Sequence, residues 1–202
     1  MAFQAQKLYG GAVATSIPTG LLDASQVRQI PDTQEVFVNM NNPSLSPEDS
    51  LIFDLLEMVE ASDDAGAVKM HLDEISQLNG LVGDAAWKLL ESQDISSKLR
   101  HFTKSTSSST KGYVAVAAAP AQKWGKDKAE WVVLILGLIR HIEKDVDILI
   151  SVNLPSLSVE SCEELRDIES SDNEKHKRIK AGKDIVIKAM ENYEILDGGL
   201  FG

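Results

Sequence analysis

The chain has 202 residues, 43% hydrophobic and 25% charged, with one cysteine and a formal net charge of −11. That length suits one domain whose core can fold without covalent staples, and Cys162 has no partner for an intramolecular disulfide. The opening MAFQAQKLYGG lacks both the pattern of a secretory signal and that of a transit peptide. The longest apolar run, Trp131 to Ile139, is far shorter than the ~20 residues of a membrane-spanning helix, so a soluble, untargeted, intracellular protein is expected.

The charge is uneven. Residues 1–100 hold 15 Asp/Glu against 6 Lys/Arg, and within 32–94 only Lys69 and Lys88 oppose 14 acids. A field of that sign repels nucleic acid and anionic membranes and speeds encounter with a basic surface. A surface tuned for solubility explains the composition equally well.

In chain order, Leu8 to Thr15 reads as an extended segment ending at the turn signal Ile17-Pro18-Thr19-Gly20. Asp23 can cap a short helical turn, and Gln34 to Asn39 reads as a strand after Pro31-Asp32. The next segment carries a helix signature over 47–60. Ser46 is a candidate cap, Pro47 suits the first position, and Asp49 follows three residues after the cap. At helical spacing, Leu51, Ile52, Leu55, Leu56 and Val59 share one face. For 65–80 a short strand followed by a helix ending near Asn79-Gly80 is expected, and 81–100 show no clear period.

Lys104 to Lys111 (KSTSSSTK) reads as a mobile polar loop. Two strands follow, Tyr113 to Ala119 and Trp131 to Ile142, the second apolar enough to be covered on both faces. After the turn Glu143-Lys144-Asp145, alternation from Val146 to Leu154 predicts a third strand paired antiparallel with the second, ended by Pro155. A short amphipathic piece over 159–169 precedes a break at Asp172-Asn173. A longer helix then runs to about Tyr193, with an apolar stripe of Ile179, Val186, Met190 and Tyr193, joined by Ile185 and Ala189. Helices that flank the strands rather than alternate with them predict an α+β fold, a mostly antiparallel sheet with helices packed on it.

Enzyme motifs are missing. There is no G-x-S-x-G, and Cys162 has no nearby histidine. His71, His101, His141 and His176 are too scattered for zinc spacing and read as surface or core-edge residues. The two Gly-Lys-Asp triplets at 125–127 and 182–184 lack the upstream glycine and following Ser/Thr of a phosphate loop. No catalytic residue, metal or cofactor is therefore expected. The one basic cluster, Lys175 to Lys180, reads as the solvated side of the last helix or as a nuclear localisation signal.

On the predicted helix, Asp54, Glu57 and Glu60 step by three and would be neighbours with no Lys or Arg four residues away. Like charges so placed cost about 0.2–0.5 kcal/mol per pair. A docking surface for a basic partner explains their placement, with Phe53 beside them as an apolar contact.

The residues Leu8-Tyr9-Gly10-Gly11-Ala12, Ile17-Pro18, Asp23-Ala24-Ser25, Val27 to Val38 (VRQIPDTQEVFV) and Ser50 to Glu57 (SLIFDLLE) resemble the Ran guanine-nucleotide release factors, the Mog-type nuclear-import proteins. Lys123-Trp124-Gly125-Lys126, the strand Asp147 to Pro155 and the terminal Leu200-Phe201 add to the resemblance. It implies one domain over 1–202, an α/β sandwich with a mostly antiparallel central sheet covered by helices on both sides. It also implies a monomer of nucleus and cytoplasm that binds the small GTPase Ran and promotes nucleotide release, without nucleic acid or membrane partners. The family's acidic surface carries over to Asp54 and Glu57, with Asp32 and Glu35 as neighbours. An acidic adaptor that binds Ran and leaves nucleotide exchange unchanged is the alternative.

Overall fold

The computed structural model describes residues 1–81, 83, 86–102, 110–121, 130–157, 162–166 and 173–201. Strands β1 (Phe3–Leu8) and β2 (Val13–Pro18) form a hairpin, which β10 (Glu194–Ile195) joins to make a three-stranded sheet. The main sheet has seven strands: β3 (Leu21–Asp23), β4 (Gln34–Asn39), β5 (Ser50–Glu57), β6 (Lys88–Asp94), β7 (Thr110–Ala121), β8 (Glu130–His141) and β9 (Val146–Leu157). Their spatial order is β3-β4-β5-β9-β8-β7-β6, and every pairing is antiparallel. Two helices, α1 (Asp64–Leu78) and α2 (Glu174–Glu191), complete the described elements of regular length.

Several expectations agree with this frame. Asp23 accepts from the Ser25 amide and caps a 3-10 turn over Ala24–Gln26. β4 spans 34–39 as read, and β8 and β9 pair across the tight turn at 142–145. Helix α2 starts after Asn173, whose side chain accepts from the His176 amide, and its predicted stripe is fully buried.

The helix expected over 47–60 is absent. Ser46 to Asp49 do bond reciprocally: the Ser46 amide donates to Asp49 Oδ2 at 2.7 Å and the Asp49 amide to the Ser46 carbonyl. These bonds close a turn, and the chain then extends as β5, paired along its length with β9 and over five residues with β4. The apolar residues fit a strand because both faces are covered. Leu51, Phe53 and Leu55 join one core cluster, while Leu56 joins the other. Nor do residues 65–80 begin with a strand, because Asp63 caps α1 by accepting from the Gly66 amide and the helix runs unbroken to Leu78. Pro155 does not end β9, which continues to Leu157 past a register shift opposite Trp131 and Val133. In the expected polar loop, Thr110 and Lys111 already belong to β7. The rest of that loop and most of 159–169 lie outside the described residues.

Alternate residues of β8 enter different clusters. Val133, Ile135 and Ile139 pack with Ile179, Ile185 and Val186 of α2, whereas Leu134, Leu136 and Leu138 pack with Ala67, Val68 and Leu72 of α1. Gly137 lets α2 come close, since a Cβ there would lie 2.6 Å from Met190 Sδ and Val186 Cγ1.

Candidate functional site

The four singled-out carboxylates gather around the C-terminal end of β5, on two faces of the sheet. In the β4–β5 ladder, Glu35 stands opposite Phe53 and Gln34 opposite Asp54. Directly opposed residues point the same way. Glu35 therefore shares the face of the cluster packed by α2, and Asp54, opposite Leu149 on its other side, shares the face packed by α1. The spacing of three that makes Asp54 and Glu57 neighbours on a helix sends them to opposite faces of a strand. Their grouping on one face is thus corrected by the strand conformation of β5.

Each carboxylate has its own setting. Glu35 is half-buried and accepts from the Tyr9 amide at 2.6 Å. That bond holds a tight turn in which Tyr9, Gly10 and Gly11 all have positive φ, a conformation natural to the glycines and strained at Tyr9. The Tyr9 hydroxyl donates to the Thr33 carbonyl at 3.3 Å. Burial, then Tyr193, Asp54 and Glu35, push its phenol above the ordinary value.

Asp54 is also half-buried. Its Oδ2 accepts from Gln34 Nε2 at 2.8 Å, and its Oδ1 is buried without a hydrogen-bond partner. Burial raises this carboxyl above the usual carboxylate range, against the lowering effect of Gln34, Leu55, Thr33 and His71. Asp32 is exposed in the turn before β4, where the Thr33 carbonyl accepts from the Leu55 amide, so this turn sits beside the last residues of β5. Glu57 is exposed at the strand's end, and Glu60 is exposed three residues further on. Among the described residues no ion pair involves Asp32, Glu57 or Glu60.

One set of residues escaped sequence reasoning. Asp147 is fully buried; its Oδ2 contacts His71 Nε2 at 2.8 Å and its Oδ1 accepts from Arg140 Nε at 3.1 Å. The same Oδ2 accepts from the Val59 amide at 3.1 Å, and Arg140 Nη2 donates to the Val59 carbonyl at 2.7 Å. The backbone between Glu57 and Glu60 is therefore held at both polar groups of Val59 by a buried ion network. His71 is consequently a core residue, not a surface one. An aspartate within the apolar alternation of 146–154 and an arginine ending an apolar run were the available signals.

The basic cluster is likewise partly folded in. Arg178 Nη2 lies 2.5 Å from Oδ1 of buried Asp49, and His176 is buried with Nε2 against the Arg166 carbonyl at 3.0 Å. Asp49 and Arg178 thereby join the turn before β5 to α2. Among the described residues no group of three or more His, Cys, Asp or Glu side chains is placed to hold a metal ion. The arrangement gathers exposed and half-buried carboxylates around one strand end.

The family profile described as Ran-interacting Mog1 protein matches residues 6–155, a span that contains all four carboxylates. The chain is 32% identical over 202 residues to the nuclear import protein MOG1 of Saccharomyces cerevisiae, covering 96% of this chain and 83% of that one. Against the Ran guanine nucleotide release factor of Danio rerio it is 33% identical over 82 residues, 41% of this chain and 42% of the relative. The crystal structure of the Saccharomyces cerevisiae Ran-binding protein Mog1p superposes with a TM-score of 0.77 at 31% identity, over 100% of both chains. The chain belongs to the Mog1 family of Ran-interacting proteins.

Proposed function

We propose that this protein binds the small GTPase Ran and promotes release of its guanine nucleotide, in support of nuclear protein import. The observation that carries the reading is the family match over 6–155, which includes the acidic end of β5. On this reading the chain is one Ran-binding domain, an α/β sandwich with α1 and α2 on opposite faces of the sheet. It works as a monomer in nucleus and cytoplasm, without nucleic acid, membrane or covalent chemistry. The alternation of β8 between the two clusters supports the sandwich, and no described helix is long and apolar enough to cross a membrane.

A release factor changes no bond in its partner. It must bind the opening or nucleotide-free state better than the closed one, and the difference in affinity is what shifts the partner's population. A thousandfold faster release corresponds to about 4 kcal/mol. Two charge-assisted carboxylate contacts of about 1.5–3 kcal/mol each supply that order of energy. Exposed Glu57 and Asp32 engage basic side chains of Ran directly. Asp54 and Glu35, each already bonded within the fold, act by exchanging Gln34 or the Tyr9 amide for a partner cation or by holding the neighbouring chain in place.

The test is complex formation and nucleotide release with Ran loaded separately with GTP and GDP forms, using the wild type and the Asp54→Ala/Glu57→Ala double variant. Acceleration by the wild type and its loss in a folded double variant support the reading. Binding without acceleration leaves the adaptor alternative. Equal release by both proteins rejects the role of the acidic strand end.

A further inference from the structure

The geometry points to a second recognition element on the same docking end: the cavity walled by Phe102, His141 and Phe201 receives a guanidinium side chain of the docking partner. This rests on the reading of Ran as that partner and adds a contact to it. The cavity, of about 300 Å³, opens beside the turn between β8 and β9 and is lined also by Thr110, Glu143 and Glu194.

Its position follows from the register. Glu57 stands opposite Val146, Val146 opposite His141, and His141 opposite Thr110, one row crossing β5, β9, β8 and β7. Residues in such a row share a face. With strands about 4.8 Å apart, His141 stands roughly 10 Å from Glu57 on that face. The cavity thus lies about two strands from exposed Glu57 on the same face, within the span of one partner surface.

Its chemistry follows from the lining. Phe102 meets the His141 ring edge-to-face at 5.6 Å, and Phe201 meets it at 6.4 Å, leaving aromatic walls suited to a planar cation. Two polar atoms of the lining residues, Thr110 Oγ1 and His141 Nδ1, are buried just behind the wall without a hydrogen-bond partner, so a donor reaches them when the wall yields. Such atoms cost free energy unless a ligand satisfies them. Burial lowers the His141 imidazole, opposed by Glu143 and assisted by Lys144, which favours the uncharged ring. Carboxylates of Glu143 and Glu194 stand at the rim with Lys144, and Glu194 lies 3.6 Å from His101 Nδ1. A guanidinium carries five N–H donors in a plane and stacks on aromatic faces, which matches these acceptors and walls. The strong overall negative charge further favours a cationic occupant over an anionic one.

Two substitutions near the chain's end, Phe201→Ala and Glu194→Gln, test the contact. Each is expected to weaken the Ran complex about three- to tenfold by calorimetry, as loss of a stacked or charge-assisted contact would. Unchanged affinity in both overturns the proposal. In parallel, N-acetyl-arginine amide is titrated into the wild-type protein against its uncharged isostere N-acetyl-citrulline amide and against inorganic phosphate, with shifts read at Thr110 and His141. Shifts selective for the arginine amide support the cavity as a guanidinium site even where Ran does not bind, an outcome that would sink only the functional reading. No shift, equal shifts with citrulline, or a response to phosphate alone overturns it.

Discussion

The carboxylates inside this protein and those at the end of β5 differ in one respect: the inner ones have cations and the outer ones do not. Asp147 pairs with Arg140 across the β8–β9 hairpin and hydrogen-bonds to His71 of α1, and Asp49 pairs with Arg178 of α2. Asp32, Glu57 and Glu60 are exposed, and no ion pair among the described residues involves them. Buried charge must be paired for the fold to exist, whereas an exposed carboxylate can stay open at little cost to stability. On the proposed reading the same residue type serves folding in one region and recognition in the other. The buried network also serves the surface, since Asp147 and Arg140 hold Val59 between Glu57 and Glu60.

Substitutions sharpen that contrast. Asp147→Ala takes the buried carboxylate from Arg140, His71 and the Val59 amide, leaving Arg140 only the partly exposed Asp64 at 3.3 Å, and is expected to cost about 3–5 kcal/mol in urea unfolding. A loss under about 1 kcal/mol would mean that Asp64 alone suffices to pair Arg140. Arg178→Met, which strands the buried Asp49, is expected to cost about 2–3 kcal/mol in the same assay. At the other extreme, Glu60→Ala and Asp32→Ala are expected to change stability by no more than about 0.5 kcal/mol. A larger destabilisation by either would place these side chains in the folding class.

Asp54 lies between the two classes, and pH distinguishes it. Its raised carboxyl means that the folded state holds the proton more tightly than the unfolded state. Its contribution to stability is then fully present below the ordinary carboxylate value of about 4 and is lost as pH rises through the raised value. Asp54→Asn removes this titration. The stability of the wild type relative to that variant should therefore fall as pH is raised from 4 to 7, read as the separation of urea midpoints. A separation that stays constant with pH would show that Asp54 titrates alike in both states.

Much of the frame was legible in the sequence. The stripe from Ile179 to Met190 repeats at helical spacing over a long stretch, and the strands of 113–119, 131–142 and 146–154 carry unbroken apolar or alternating runs. The failure at β5 has a physical source. Leu51, Ile52, Leu55, Leu56 and Val59 fit one helical face and equally fit a strand buried on both sides, and only pairing with β4 and β9 separates the two. The reciprocal bonds of Ser46 and Asp49, read as a cap, close a turn in either case. Because a strand alternates by two, that one misreading also moved Asp54 away from Glu57. The cluster of His71, Arg140 and Asp147 was only half legible: the expected hairpin sets Arg140 opposite Asp147, whereas His71 reaches them from α1, 76 residues from Asp147, and no local spacing encodes that meeting. Likewise the Tyr9 turn reveals its dependence on Glu35 only once β4 lies beside it.

The central claim is that the exposed end of β5 acts on the partner and not on the fold. It is tested most directly by release of a fluorescent guanine nucleotide from purified Ran in the presence of wild type or Glu57→Ala, with the unfolding midpoint of each protein measured alongside. The account predicts that the single variant loses about tenfold or more of the acceleration, the worth of one charge-assisted contact, while its midpoint stays that of the wild type. Undiminished acceleration by Glu57→Ala would contradict it.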